Sequence, residues 1–517
     1  MRDKSIAQPL ALAVTLAAAA VLRFWALGHG VPFSVGVDEP EVLDRAVRMM
    51  KTGDFNPHFY DYPAFYMYVQ AAVASVRFLF GAMRGQWSSL AQASTADFFV
   101  WGRAMTACLG TASVWLLYRA GLRWNAATAL LAAALFAVMP LHVRESHYVL
   151  TDVPMTFFVT LTLLLSLRAY ERPALRTFLL AGAAAGLAGA TKYNGMLAAV
   201  MPVIVCLGAP RAGRPKAALV ASTLAGVTVA FLLAAPYTFL DLPTFLNSFA
   251  RLSSEYRAEP MQANAVIVTA LKNMRNALDW RGWWWLAAFP VGPGSLLAMA
   301  GVALGAWSAA FARVSRVRWA AATIFALLYF WFISRQAIHF ARYLLPDVPF
   351  VSLLTAAVVV QLVARVARTR ASHAVRAAVG AALVALAVAP PLATALSFDA
   401  DQSKVWTTEQ AYDWILQSIP KGAIVRLEGR ALLLPSEYHP TYAIQLRLDS
   451  LDTDAAHGVE YLVASSEEYG PYVSNPSTFP GESGDYQRLF AQTRELARFT
   501  PSRDHPGPEL RVLQLKR

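Results

Sequence analysis

The chain has 517 residues, of which 56% are hydrophobic and only 15% charged, with a mean hydropathy of +0.41; this excludes an ordinary soluble enzyme and indicates a polytopic membrane protein. The net charge of +12 does not mark a nucleic-acid binder, because residues 399–517 hold 12 basic and 17 acidic side chains (net −5), leaving 33 basic and 16 acidic (net +17) in residues 1–398. That excess sits in short clusters between apolar runs, the pattern of cytoplasmic loops.

In chain order, Arg2 and Lys4 precede an apolar run that ends in RFWALGHGVPF without a small-residue cleavage site, so the first helix is expected to stay uncleaved. A span needs about 20 apolar residues. Eleven are expected, near 8–28, 98–118, 126–141, 153–169, 177–191, 195–210, 217–236, 286–311, 319–334, 344–364 and 377–397. Basic clusters follow the second span (Arg119, Arg123), the fourth (Arg168, Arg172, Arg176), the sixth (Arg211, Arg214, Lys216), the eighth (Arg313, Arg316, Arg318) and the tenth (Arg365, Arg368, Arg370, Arg376). Each falls after an even-numbered span, which sets the N-terminus in the cytoplasm and the C-terminus outside a cytoplasmic membrane.

The segment 62–82 is apolar enough to span, but counting it would invert every later cluster. It is read as an amphipathic helix on the outer surface, inside a first external loop near 29–97. A second external loop, near 237–285, ends in Trp280, Trp283, Trp284 and Trp285, an interfacial aromatic belt. The fifth and sixth spans are short and Gly/Ala-rich (AGAAAGLAGA), a helical hairpin with Lys192 at its outer tip. After residue 397 the composition becomes that of a soluble domain. TTEQAYDWILQSIP reads as a helix, and AIVRLEG, EYLVAS and LRVLQL as strands. The expected fold is therefore mainly α: a membrane domain over 1–397 and a small extracytoplasmic α/β domain over 398–517. Cys108 and Cys206 both lie in apolar spans and give neither a disulfide framework nor a metal spacing.

With this topology the chemically unusual residues collect at the outer face. Asp38 and Glu39 form an adjacent carboxylate pair after the first span, and holding such charge near hydrocarbon costs ~2.5–3.5 kcal/mol per group even on insertion scales. His58 and Asp61 follow in the first loop. Asp97 and Arg103 open the second span, and Arg103, a turn inside it, calls for an anionic partner. His142, Arg144, Glu145, His147 and Asp152 fill the turn PLHVRESHYVLTDVP; Lys192 and Tyr193 tip the hairpin; Arg335, His339, Arg342 and Tyr343 cap the tenth span. Polar residues gathered on one side describe a reaction chamber rather than a transport path, which would place them at mid-membrane.

Plainer roles stand beside these. Asp38 with Glu41 has the spacing of a capping box, and Asp152 before Pro154 reads equally well as an N-cap. His142 and Glu145, at i, i+3, form a hydrogen-bonded pair or two of a metal's ligands; with Asp97 they are the only metal candidates, and no third ligand is fixed by spacing. The DTD at 452–454 reads as a turn.

Together DE after the first span, NPHFYDYP, GRAMTACLGT, the H-x4-H-x4-D turn ending TDVP, TKYNG and ARYLLPDVPF resemble the membrane-embedded glycosyltransferases of the GT-C fold. They are similar in particular to bacterial relatives of dolichyl-phosphate-mannose-protein mannosyltransferases (family 39-like) and to lipid A aminoarabinose transferases. The likeness covers about residues 8–365. It implies an inverting transferase that takes a sugar from a polyprenyl-phosphate donor to an acceptor hydroxyl at the outer membrane face. Asp38 would then act on the acceptor, with Glu39 supporting it; Arg103 would contact the donor phosphate, and Lys192 and Arg342 match further basic positions near it. Asp97 departs from the pattern by its spacing, six residues ahead of Arg103. A divalent metal is compatible with this chemistry but not required by it, since several fixed cations are present. The acceptor class (glycan, lipid or protein) is not encoded in these motifs. The competing reading is a lipid or sugar transporter or flippase, which predicts internal repeats that the sequence does not display.

Overall fold

A computed structural model describes residues 4–33, 36, 38–209, 214–256, 293–312, 315–336, 340–429, 432–448 and 451–515. The chain divides into two compact units: 1–27 with 41–399, and 28–40 with 400–517.

The first unit is helical. A helix stands at each of the eleven expected spans. They are α1 (Lys4–Phe24), α4 (Phe99–Gly121), α5 (Ala126–Ala137), α7 (Asp152–Glu171), α8 (Leu175–Thr191), α9 (Val200–Gly208, continuing a 3-10 turn Tyr193–Ala199), α10 (Lys216–Ala234), α13 (Pro293–Phe311), α14 (Arg316–Ser334), α15 (Val348–Ala367, after a 3-10 turn Ala341–Asp347) and α16 (His373–Gln402). Between them lie α2 (Glu39–Thr52), α3 (Phe65–Met83), α6 (Pro140–Glu145), α11 (Tyr237–Leu240) and α12 (Leu242–Tyr256). Among the described residues seven helices are long and apolar enough to cross a membrane, α3 included.

Contacts order the two ends of this unit. At one end the last turn of α1 meets the C-terminus of α5, through Arg23 Nη1 to the Ala137 carbonyl at 2.8 Å, and the first turns of α4, through Arg103 Nη1 to the Leu27 carbonyl at 2.9 Å. At the other end Gln8 of α1 bonds Tyr118 of α4, Arg123 pairs with Glu171 at the end of α7, and Trp124 packs edge-on to Trp319 of α14. Helices therefore alternate in direction, as the basic clusters predict.

Helix α3 does not run alongside α4. Tyr66 bonds Thr106, Gln70 bonds the Gly102 carbonyl, Phe80 packs on Trp101, and Trp87 just beyond α3 stacks on Phe98. Twenty-two residues of chain, 66–87, thus keep to nine residues, 98–106, at the start of α4. Antiparallel neighbours would advance about 1.5 Å per residue along each other, so α3 crosses the end of α4. The crossing of α8 and α10 is close because Gly182, Gly186 and Gly226 leave room for facing backbone: an added Cβ would come within 2.1, 2.3 and 2.2 Å of a carbonyl oxygen.

The second unit carries a five-stranded sheet in the order β2-β1-β3-β5-β4, with β1 Ile424–Glu428, β2 Thr441–Ala443, β3 Val459–Ser465, β4 Arg494–Phe499 and β5 Leu510–Gln514. β1 pairs in parallel with β2 and β3, while β5 runs antiparallel to β3 and β4. Alternation along the strands feeds two cores. Val425, Leu427, Val463 and Val512 pack with Ile415 of α17 (Thr407–Ser418), and Leu462, Ala464 and Leu513 pack with Tyr469 of α19 (Ser466–Val473) and Leu489 of α20 (Pro480–Gln492). The DTD at 452–454 falls not in a turn but in a short helix, α18 (Leu451–Ala456), where buried Asp454 pairs with Arg426 at 2.6 Å.

The second unit begins at 400, two residues past the expected 398, and residues 28–40 group with it. Leu433 N donates to the Phe33 carbonyl at 2.7 Å, the His29 ring lies 4.6 Å from Trp406, and Phe33 lies 4.8 Å from Tyr412.

Candidate active site

The turn after α8 sets the first cation. Lys192 leaves the helix in an extended conformation and the chain folds straight back as the 3-10 turn 193–199. Gly195 permits this return, since a Cβ there would stand 2.4 Å from the Ala188 carbonyl oxygen. Lys192 Nζ then donates to Asp152 Oδ1 at 2.7 Å, and Arg342 Nε stands 3.9 Å from Asp152 Oδ2. Asp152 is 2% exposed and Lys192 12%. The sequence allowed Asp152 an N-cap role, but its carboxylate is spent on the two cations; Thr151 is the N-cap residue and makes no side-chain cap bond.

Aromatic faces complete this pocket. Lys192 Nζ lies 4.3 Å from the Tyr343 ring centroid and 5.7 Å from that of Tyr62, both within cation–π range. Tyr343 is fixed from two sides: its hydroxyl meets Tyr256 at 2.7 Å, and its carbonyl accepts from Tyr329, whose own hydroxyl accepts from Asn194. Glu145 is buried against Arg144 at 2.6 Å and within electrostatic reach of Asp152 and Arg342. Two acids and three bases therefore meet where the starts of α7 and α15 face the end of α8.

Arg103 occupies the other flank of the 140–152 turn. It is 2% exposed, bonds the Leu27 carbonyl, and lies 5.6 Å from the Tyr148 ring. His147 bonds the Val143 and Trp25 carbonyls. Beneath them is a residue that sequence reasoning passed over. Arg23 is fully buried, and its guanidinium caps the C-terminus of α5 through the Phe136 and Ala137 carbonyls while its Nη2 meets His142 Nδ1 at 3.0 Å. The available signal was an arginine at the very end of an apolar span.

The metal candidates do not assemble. His142 faces Arg23, Glu145 faces Arg144, and Asp97 closes a capping box by accepting from Ser94 N and Oγ at 2.8 and 2.9 Å. Among the described residues no group of three or more His, Cys, Asp or Glu is placed to hold a metal ion.

The first-loop residues make a separate rim. His58, exposed and at positive φ, meets Asp54 Oδ2 at 2.9 Å. Hydrogen bonds from His58, the Asn56 backbone and Arg48 hold the Asp54 carboxyl down at about 2. Asp61 pairs with Arg251 of α12 at 2.5 Å; burial pushes its carboxyl up, against the pull of Arg251. Asp241 accepts from Thr244, Asn56 and Tyr60, and those bonds hold it below the usual carboxylate range. Tyr193 donates to the Tyr60 carbonyl and packs on Phe249. The rim thus ties residues 54–61 to α12, and Tyr256 at the end of α12 reaches Tyr343.

Asp38 and Glu39 belong to the second unit. Asp38 is half-buried and directly precedes α2. Glu39 is buried, and its Oε2 accepts from Gly36 N at 2.7 Å, so its carboxylate closes the turn that presents Asp38. His339 and the tryptophans at 280–285 lie outside the described residues.

Residues 13–252 match the family described as dolichyl-phosphate-mannose-protein mannosyltransferase, a stretch that holds Asp38, Arg103, Asp152 and Lys192. No curated protein matches the chain. Among solved structures, ArnT from Cupriavidus metallidurans in the apo state is 14% identical, over 98% of this chain and 97% of that one, with a TM-score of 0.56. The same protein bound to undecaprenyl phosphate gives 15% identity, the same coverage and a TM-score of 0.53. The Archaeoglobus fulgidus oligosaccharyltransferase tethered with an acceptor peptide is 15% identical over 97% of this chain and 74% of that one, with a TM-score of 0.57. The chain has the fold of these proteins, the GT-C fold that the sequence motifs imply.

Proposed function

We propose that this protein is an inverting glycosyltransferase of the cytoplasmic membrane, moving a hexosyl or pentosyl group from a polyprenyl-phosphate donor to an acceptor hydroxyl at the outer face. The observation that carries the reading is the set of cations on Asp152, at one end of a helical unit with this fold. Lys192 and Arg342 converge on the single buried carboxylate of Asp152, which fixes two cations side by side where a phosphate can meet them. A sugar linked through a single phosphate is a diester with one negative charge. As its C1–O bond breaks, the lipid phosphate becomes a monoester and gains charge. Cations already fixed in place stabilise that build-up more than the starting diester, which is the differential that lowers a barrier. Arg103 supplies a further donor to the phosphate.

Attack on C1 from the face opposite the phosphate requires the acceptor hydroxyl to lose its proton. Asp38 takes it as general base, a contribution of ~10²–10⁴-fold in rate. Glu39 acts indirectly, by holding the Gly36–Glu39 turn. The C-terminal unit grips residues 28–40 through His29 and Phe33, so its role in this reading is to fix the loop that bears the base, and it also offers a surface for the acceptor. The fixed cations make a resident metal unnecessary for this scheme.

The experiment is to incubate the purified protein with a panel of labelled polyprenyl-phosphate sugars and score release of lipid phosphate. Asp38→Asn is expected to abolish transfer with folding intact, and Arg103→Ala to raise the donor concentration needed. Near-normal transfer by Asp38→Asn removes the base assignment. Lipid movement across vesicles without any sugar transfer decides for a transporter.

A further inference from the structure

At the end of the first unit opposite Lys192, a cavity of about 330 Å³ opens between the N-termini of α5 and α14, the C-terminus of α13 and the second half of α15. Its wall is all donors and neutral groups: Trp124, Asn125, Ser308, Ser315, Arg318 and Gln361 supply the polar atoms, and no carboxylate lines it. Two of these side chains ask for an acceptor. The Trp124 indole Nε1–H is shielded from solvent yet has no partner among the described residues, and a buried N–H left unmet is costly. Arg318 is half-buried, and no carboxylate among the described residues pairs with it.

The flank of the cavity is apolar and open. Ser308 and Ala312 reach the cavity from α13, whose neighbouring residues Trp307 and Phe311 stand 65% and 66% exposed with ring centroids 4.4 Å apart. Trp319, packed edge-on to Trp124, forms the inner wall. A free phosphate would use the donors and leave those rings bare. A molecule with a phosphate head and hydrocarbon tails uses both. This is also the end where the basic clusters gather, and basic pockets between spans on the cytoplasmic side suit anionic headgroups.

We propose that this cavity is a binding site for the head of an anionic phospholipid, with Arg318 and the Trp124 indole as donors to its phosphate and Trp307 and Phe311 as the shelf for its acyl chains. The site is remote from Asp152 and Lys192, and the proposal does not depend on the reaction assigned there.

The test is native mass spectrometry of the full chain, delipidated in detergent and offered phosphatidylglycerol, phosphatidylcholine or inorganic phosphate. The wild type is expected to retain phosphatidylglycerol over phosphatidylcholine. Arg318→Gln should cut that retention about five-fold, the effect of one basic residue at an anionic lipid surface. Trp124→Phe, which keeps the ring and removes the donor, should cut it less. Arg176→Gln, an exposed arginine at the same end but outside the cavity, is the control for net charge and should bind as the wild type does. Should Arg318→Gln not fold, Trp124→Phe carries the test. Equal retention by the cavity variants and the wild type overturns the proposal, as does an equal loss in Arg176→Gln. Full displacement of the lipid by inorganic phosphate overturns it too, by making the ligand a free anion.

Discussion

Replacing Lys192 by Met keeps most of the stem but strands Asp152, which is 2% exposed and would be left with Arg342 at 3.9 Å. Two unit charges at the observed 2.7 Å attract by about 6 kcal/mol at an effective dielectric near 20. Desolvation of both groups offsets much of that. Breaking one side of a buried pair is nonetheless measured at about 3–5 kcal/mol, because the survivor stays buried without its partner. Taking about 3 kcal/mol, and about 2 °C per kcal/mol for a large domain, Lys192→Met should lower the unfolding midpoint by about 6 °C. Asp152→Asn should cost less, since Lys192 keeps some access to water. The double variant removes both charges and should be more stable than the summed single losses by about 2 kcal/mol or more. The assay is thermal unfolding of all four proteins in one detergent, with sugar release measured in parallel. All three variants should lose transfer, whatever their stability, because the cation has gone or is misplaced. Additivity of the two substitutions within about 0.5 kcal/mol would show that the pair is not coupled, and the charge argument for the site would fall with it.

Arg23→Met leaves the Phe136 and Ala137 carbonyls at the end of α5 without their guanidinium; a loss of about 3 kcal/mol is expected from two unmet buried acceptors, and an unchanged unfolding midpoint refutes the capping role. Trp406→Ala removes the ring against His29 and should lower turnover more than donor affinity, while an unchanged turnover number separates the C-terminal unit from the base-bearing loop. The Asp241 carboxyl is held below its ordinary 3.8 by its hydrogen bonds, so the support it gives the rim is present above about that pH and is lost as pH falls through the lower folded value; hydrogen exchange over 237–244, the turn that Asp241 holds, should rise only below about pH 4, and a rise near pH 6 contradicts the assignment. Glu428 accepts from Leu446 N, Ser465 N and the Tyr486 hydroxyl with its side chain fully buried, so Glu428→Gln turns an amide N–H₂ toward a donor and should destabilise the C-terminal unit by about 1–3 kcal/mol, read as faster exchange in β1 and β3.

The alternation of the bundle was legible in the sequence because its signals are local. An apolar run of about 20 residues needs no partner to be recognised, and arginine clusters after every second run fix the ends. The same reasoning placed α3 on the surface. Its apolar content argued for a span, and it is one of the seven helices long and apolar enough to be one; only the order of the later clusters argued against, and Tyr66, Gln70, Phe80 and Trp87 hold it to the start of α4. What could not be read was pairing. Asp152 before Pro154 satisfies every local criterion for a cap, and only the folded hairpin, brought close by Gly195, sets Lys192 on its carboxylate instead. Glu39 stands beside Asp38 in the sequence, and nothing local shows that its carboxylate accepts from Gly36 N. Arg23 was invisible for the opposite reason, since a single arginine at the end of a span usually reaches for headgroups. Here it turns inward, because α5 ends beside it with two carbonyls that need donors. Residues 28–40 follow the same logic at a larger scale. Nothing local ties HGVPF to a helix nearly four hundred residues later, yet His29 and Phe33 have aromatic partners there, Trp406 just before α17 and Tyr412 within it. The proposed base therefore sits on a segment whose position is set by the last fifth of the chain, and loss of the C-terminal unit should silence transfer while leaving the Lys192–Asp152–Arg342 cluster assembled.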